Sequence, residues 1–266
     1  TLVMRMKENN PDRVIYLADA RQSMHFIQVF RCARKTGIVP DTTGLVHIGF
    51  GTMNGKDGKP FKTRDGGVMR LEYLLKEIDD EMLNKIKENQ KEKENLNIDE
   101  AEAEQTAKTV ALAAVKYGDL SNQASKDYIF DIDRFTSFEG NTGPYILYTI
   151  VRIKSILSKY EAKGGDISAL KDAIMPAVNA GQKNLMLSLA KFNATIESAY
   201  EESAPHKICA YIYELANAFN GFYHDTKILS EENEELKKSY ISLLVLTKEI
   251  LEACIDMLGF SAPDRM

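Results

Sequence analysis

The apolar positions of the chain change period near residue 71. Before it, "RVIYLAD" (residues 13–19) is a β-rich run bounded by polar residues, and it predicts a buried strand. Phe26, Val29, Phe30 and Ala33 then recur at helical spacing behind Ser23, a residue type suited to a helix cap, with Gly37 as the stop. "LVHIGFG" (residues 45–51) predicts a second short strand. Strand, helix and strand with short connections make a βαβ unit, the building block of a parallel sheet.

From Leu71 onward the period is helical. Leu71, Leu74, Leu75, Ile78 and Met82 form one apolar stripe, and the charge-rich "KIKENQKEKENLNIDEAEAE" predicts a solvated helix and turn. A helix through Ala107, Val110, Ala111 and Ala114 follows, then a short extended segment, "DYIFDIDRF" (127–135). Amphipathic helices are expected at 142–162, 167–181, 183–201, 206–224 and 233–258. The expected fold is mainly α with a smaller α/β part: a partial Rossmann-like βαβ region followed by an all-α helical bundle.

Composition narrows the chemistry. Of 266 residues, 44% are hydrophobic and 27% charged, as in ordinary globular chains, and no apolar run approaches the ~20 residues of a membrane helix. A net charge of −5 argues against gripping nucleic acid with the whole surface and leaves room for local patches. Cys32, Cys209 and Cys254 lie far apart within helical patterns, which suits reduced thiols in a cytoplasmic protein better than disulfides or a zinc site. No metal is expected to bind the protein itself. The N-terminus lacks a signal peptide and enters structured pattern at once, and one βαβ unit cannot make a stable sheet alone. The chain is therefore expected to be a fragment of a longer one.

Two stretches carry candidate chemistry. "GKDGKPFKTRDGG" (55–67) holds four glycines and four basic side chains between the βαβ unit and the first long helix. Such a loop suits a phosphate, although an exposed basic loop with no ligand is the commoner meaning of that composition. The second stretch follows "FEGNTGP". There Ile146, Ile150, Ile153 and Leu157 share one helix face, whereas Tyr145, Tyr148 and Arg152 share another. Two tyrosines and an arginine on a face that the core does not require could stack unpaired bases, or could simply edge a helix interface. "HIGF" (47–50) is not the HIGH signature of class I aminoacyl-tRNA synthetases, because "GTMNGKDGK" after it cannot open the helix that signature needs.

Taken together, "DARQSMHFIQVF", "GTMNGKDGKPFKTRDGGVMRL", "AVKYGDLS", "DYIFDIDRFTSFEGNTGPYILYTIVR", "HKICAYIYELANAFNGFYHDTKIL" and "LGFSAPDRM" resemble, in this order, the C-terminal half of arginyl-tRNA synthetases. The resemblance covers essentially the whole chain. It implies the end of a class I catalytic domain at 1–118 and an α-helical anticodon-binding domain at 119–266. The family is an aminoacyl-tRNA ligase that uses ATP, with Mg2+ expected, to form arginyl-adenylate and then esterifies tRNA(Arg).

Carried over position by position, the resemblance implies that Gln22 faces the arginine substrate. His25, His47, Phe50, Gly51 and Met53 would lie on the ATP side. "FKTRDG" stands at the place of the KMSKS signature, where Lys59, Lys62 and Arg64 would meet the leaving pyrophosphate; Thr63 replaces its second lysine. Asn141, Tyr145, Tyr148, Tyr223 and Met266 match the anticodon-binding side. The implied partners are tRNA(Arg), arginine and ATP, with no membrane, and the full-length enzyme is expected to be monomeric. The HIGH segment and the residues that hold the substrate guanidinium are not in this sequence, so the fragment is expected to be inactive alone. Two alternatives remain: a stand-alone, non-catalytic tRNA-binding module, and another class I synthetase such as the cysteinyl enzyme.

Overall fold

Two parallel strands, β1 (Arg13–Asp19) and β2 (Gly44–Phe50), bracket the helix α2 (Ser23–Lys35), as the βαβ pattern requires. The computed structural model describes residues 1–59, 70–92, 99–170 and 173–266. β1 and β2 pair in full register, from Arg13 opposite Gly44 to Asp19 opposite Phe50. A short helix, α1 (Leu2–Asn9), precedes them and ends at Asn10 in the left-handed conformation. Ser23 does not cap α2 as expected: its hydroxyl donates back to the Ala20 carbonyl, and the carboxylate of Asp19 accepts from the Arg21 amide instead. Gly37, at φ 68°, is the stop the sequence indicated.

β3 (Met53–Asn54) pairs in parallel with β4 (Tyr128–Ile129), a second two-stranded patch. These elements belong to one compact unit, Thr1–Phe61 with Asn122–Phe130. The other unit, Lys62–Ser121 with Asp131–Met266, is helical.

The helical unit opens with a hairpin of α3 (Leu71–Glu92) and α4 (Glu100–Leu120). Leu74, Ile78, Met82 and Ile86 are buried at helical spacing, whereas Leu71, counted in the expected stripe, is exposed. Asp99 caps α4 by accepting from the Glu102 amide. "DYIFDIDRF" is only partly extended: after β4 it turns into the single-turn helix α5 (Ile132–Phe135).

α6 (Gly143–Ala162) starts at a Thr142 cap with Pro144 in its first turn. α7 (Ala180–Leu189), α8 (Phe192–Glu202), α9 (Pro205–Asp225) and α10 (Glu234–Met257) complete the bundle. Its core includes Ile146, Ile150 and Ile153 of α6, Ile212, Leu215 and Phe219 of α9, and Ile241, Leu244 and Leu251 of α10.

Two expected helices are different. Among the described residues of 167–179 there is one 3-10 turn, Ser168–Leu170, and the stretch 173–179, with Pro176 and the Asn179 cap, is not helical. At 183–201 the apolar pattern is divided between α7 and α8, which break at Ala190 and Lys191. Apolar spacing runs across that break because both helices pack on α9, so periodicity alone does not reveal it.

Candidate functional site

The polar faces of α6 and α9 meet in one seam. Tyr145 lies against Tyr213 and Asn217, and Arg152 against Asn220 and Tyr223, so the two helices run side by side in the same direction. The stripe of Ile146, Ile150, Ile153 and Leu157 is buried in the core, which leaves Tyr145, Tyr148 and Arg152 to face this seam. The Arg152 guanidinium carbon sits 4.7 Å from the Tyr148 ring centroid and 5.5 Å from that of Tyr223. A cation held between two aromatic faces is a favourable electrostatic arrangement. Tyr223 also stacks on the buried Phe219, at 5.9 Å and 21°, and is itself 40% exposed.

Beneath the rings runs a chain of hydrogen bonds. Arg152 Nη1 donates to Asn220 Oδ1 at 2.7 Å. Asn220 Nδ2 donates to Tyr145 Oη at 2.9 Å and to Thr149 Oγ1 at 3.3 Å. Tyr145 Oη donates to Asn217 Oδ1 at 2.6 Å. Flat aromatic surface, fixed positive charge and an exposed amide group, that of Asn217, are what an unpaired base needs for stacking and edge recognition.

The strand unit brings two of its candidate residues, His25 and His47, to Phe26. His47, on β2 opposite Tyr16, stacks on Phe26 at 4.4 Å and 16°, and its Nε2 is buried without a partner among the described residues. His25 meets the same residue edge-on, at 5.5 Å and 72°, and is exposed in the first turn of α2. Gln22, just before that turn, is exposed, as is Phe50 at the end of β2.

Gly51 is required for another reason than ligand approach. A Cβ there would lie 2.5 Å from the Lys126 carbonyl carbon, and its N–H donates to the Ala124 carbonyl. Met53, half-buried in β3, continues the same pairing. At the start of the glycine loop, Gly55 and Lys59 close a tight turn, with Gly58 at φ 72° and the Lys59 amide donating to Asp57. That segment is a formed turn, and it leaves Lys59 exposed. Lys62 and Arg64 lie outside the described residues.

Residues 1–132 match the family of class I tRNA synthetases (R), catalytic domain, and residues 146–266 match the DALR anticodon binding domain. The chain is 53% identical over its whole length to the arginine–tRNA ligase of Alkaliphilus oremlandii and 43% identical to that of Francisella tularensis. The chain belongs to the arginyl-tRNA synthetase family. It spans 44% of the length of either relative. Among solved structures, the arginyl-tRNA synthetase of Plasmodium falciparum aligns with a TM-score of 0.82 at 27% identity, covering 100% of this chain and 43% of that one. The Thermus thermophilus arginyl-tRNA synthetase aligns at 0.79 and 25%, covering 96% and 41%.

Of the residues carried over from arginyl-tRNA synthetases to the anticodon side, the structure brings Tyr145, Tyr148 and Tyr223 together. Asn141 is elsewhere: its side chain meets the buried hydroxyl of Tyr117 on α4 at 2.5 Å. That phenol also lies 2.9 Å from the Cys209 carbonyl, and burial raises its pKa far above the ordinary value. Both Asn141 Oδ1 and the Cys209 carbonyl accept from this hydroxyl, which shares its one proton between them. Met266 ends a tail fastened by Lys154, through Asp264 and the carbonyls of Ala262 and Pro263, and by Arg265 to Glu102. Lys154 lies about 180° around α6 from Tyr145, so the tail meets α6 on the side away from the seam.

Sequence reasoning missed Tyr213, Asn217 and Asn220. Their signal was available: they stand at i, i+4 and i+7 on α9, opposite the stripe Ile208, Ile212, Leu215, Phe219 and Phe222.

Proposed function

We propose that the seam between α6 and α9 binds unpaired bases of the anticodon loop of tRNA(Arg), within an arginyl-tRNA synthetase that joins arginine to that tRNA. In the whole enzyme, arginine and ATP give arginyl-adenylate and pyrophosphate, and the arginyl group then passes to the 3′ end of the tRNA. Residues 1–118 are the catalytic part and 119–266 the anticodon-binding part; the order of the two parts is supported by the family matches at 1–132 and 146–266.

Gln22 faces arginine in this reading, and His25, His47, Phe50, Gly51 and Met53 face ATP. Lys59, Lys62 and Arg64 stabilise the charge that develops on the leaving pyrophosphate. Mg2+ arrives on the phosphates as part of the substrate. In the anticodon-binding part, Tyr145, Tyr148 and Tyr223 meet the bases at the seam, while Asn141 and Met266 would meet the loop outside it. The whole enzyme acts as a cytoplasmic monomer.

The observation that carries the anticodon reading is the guanidinium of Arg152 held between Tyr148 and Tyr223, with Tyr223 partly exposed. Tyrosines that merely edged a helix interface would be covered by it. The 266-residue chain is expected to bind tRNA(Arg) more tightly than a non-cognate tRNA in a direct titration, at stated salt. Equal affinities would overturn the reading. The same preparation should show no ATP–pyrophosphate exchange, since its described β1–β2 sheet has only two strands and leaves Ile15 and Leu17 of β1 exposed.

A further inference from the structure

The hydrogen-bond chain beneath the seam has a fixed direction, and Arg152 sets it. A guanidinium has donors and no acceptor, so the Asn220 amide must present Oδ1 to Arg152 Nη1. Its Nδ2 is thereby turned to Tyr145 Oη and Thr149 Oγ1. Thr149 has already given its proton to the Tyr145 carbonyl at 3.0 Å, so it can only accept from Asn220. Tyr145 Oη, once it accepts from Asn220, sends its single proton on to Asn217 Oδ1. With its oxygen so engaged, Asn217 turns Nδ2 the other way. Asn217 is exposed, and among the described residues none accepts from that nitrogen.

We propose that Asn217 is a specificity-determining residue: its Nδ2 donates to a carbonyl oxygen or ring nitrogen on the edge of an unpaired tRNA base, and Arg152, through Asn220 and Tyr145, holds it in that orientation. This rests on the anticodon-loop reading above. The rings of Tyr145 and Tyr213 meet edge-to-face, 5.7 Å apart at 61°, and the base can lie on the face of either one. Because the donor is fixed by a residue that cannot change roles, the amide cannot turn over to suit a base that offers a donor at that edge. Discrimination follows from a polar group left unpaired in the wrong complex.

The test uses the full chain, three forms of position 217 and tRNA(Arg) transcripts substituted singly at each anticodon base. The wild type should discriminate at one anticodon position by about tenfold, the effect of one good base-edge contact. Asn217→Ala removes the donor, and Asn217→Asp replaces it with an acceptor while still accepting from Tyr145 Oη. Base reading therefore ranks affinity for tRNA(Arg) as Asn, then Ala, then Asp, and both variants lose discrimination at that one position. If Asn217 only holds Tyr145, Ala is the worst of the three and the ranking overturns the proposal. If Asp weakens every transcript by the same factor, the effect is charge repulsion from the phosphates, and the proposal also falls. A wild type that fails to prefer tRNA(Arg) over a non-cognate tRNA sinks the anticodon reading itself, whereas preference without an effect of position 217 sinks only this inference. Unchanged melting temperatures of the variants establish that the fold is intact.

Discussion

Gly143 and Gly221 are both helical glycines with opposite reasons for being there. A Cβ on Gly143 would come within 2.3 Å of the Ala113 carbonyl oxygen, in the backbone of α4, where nothing can swing aside. A Cβ on Gly221 would meet nothing within 4 Å, and the residue is exposed. Gly143→Ala should therefore destabilise the helical unit by about 1–3 kcal/mol through overpacking. Gly221→Ala should stabilise it by about 0.5–1 kcal/mol through helix propensity. Thermal or urea unfolding of the two variants checks the contrast, and shifts of the same sign would refute it. The sequence shows two glycines near helical runs and does not distinguish them. What decides their roles is the approach of another backbone, which no local pattern encodes. The same limit hid Asn220: its type and spacing are visible, but not that its one amide serves Tyr145, Thr149 and Arg152 at once.

Elements were legible where one face alone contacts the core. The positions of β1, α2, β2, α6, α9 and α10 follow from their apolar runs and periods to within a residue or two, as does the face that carries Tyr145, Tyr148 and Arg152; the burial expected of β1 does not hold, because Ile15 and Leu17 are exposed. The boundary between α7 and α8 was not legible, because both helices bury residues against α9 and the apolar sequence crosses their junction. The helices also decide the chemistry of the thiols. Cys209 on α9 and Cys254 on α10 are buried, and desolvation pushes both thiols up to about 12, whereas Cys32 on α2 is exposed. At neutral pH a maleimide should modify Cys32 alone until the protein is unfolded. The pH dependence has a definite sign. The unfolded chain loses these thiol protons near the ordinary value of 9.0, while the folded chain keeps them until about 12. Above the ordinary value the unfolded state binds fewer protons, so this contribution to stability is intact below pH ~9 and falls away as the pH rises towards 12. Cys209→Ala with Cys254→Ala should flatten that part of an alkaline denaturation curve.

At the scale of the molecule, the two compact units differ in how fully they bury their apolar residues. The helical unit keeps Ile78, Met82, Ile150, Ile212, Phe219 and Leu251 wholly inside. The strand unit buries Val14, Ala33 and Val39 but exposes Leu17 at 67%, Met24 at 65%, Met4 at 60% and Ile15 at 47%. Among the described residues its sheets have two strands each, fewer than the three or more that independent stability ordinarily needs. Little hydrophobic burial then opposes opening of β1 and β2, whereas opening α6, α9 or α10 exposes the main core. Amide hydrogen exchange on the 266-residue chain should therefore grade the molecule in two: rapid exchange in residues 13–19 and 44–50, and slow exchange at the centres of α6, α9 and α10. Ligands sharpen the distinction, because a molecule that binds one unit protects that unit through mass action. With tRNA(Arg) added, protection should rise along α6 and α9 around Tyr145, Tyr148, Asn217 and Tyr223, while β1 and β2 exchange as before. Protection of the strands at the level of the bundle in the free chain would show that the exposed apolar residues are covered in solution. Protection confined to the strands on adding tRNA would place the RNA on the wrong half of the chain for an anticodon reader.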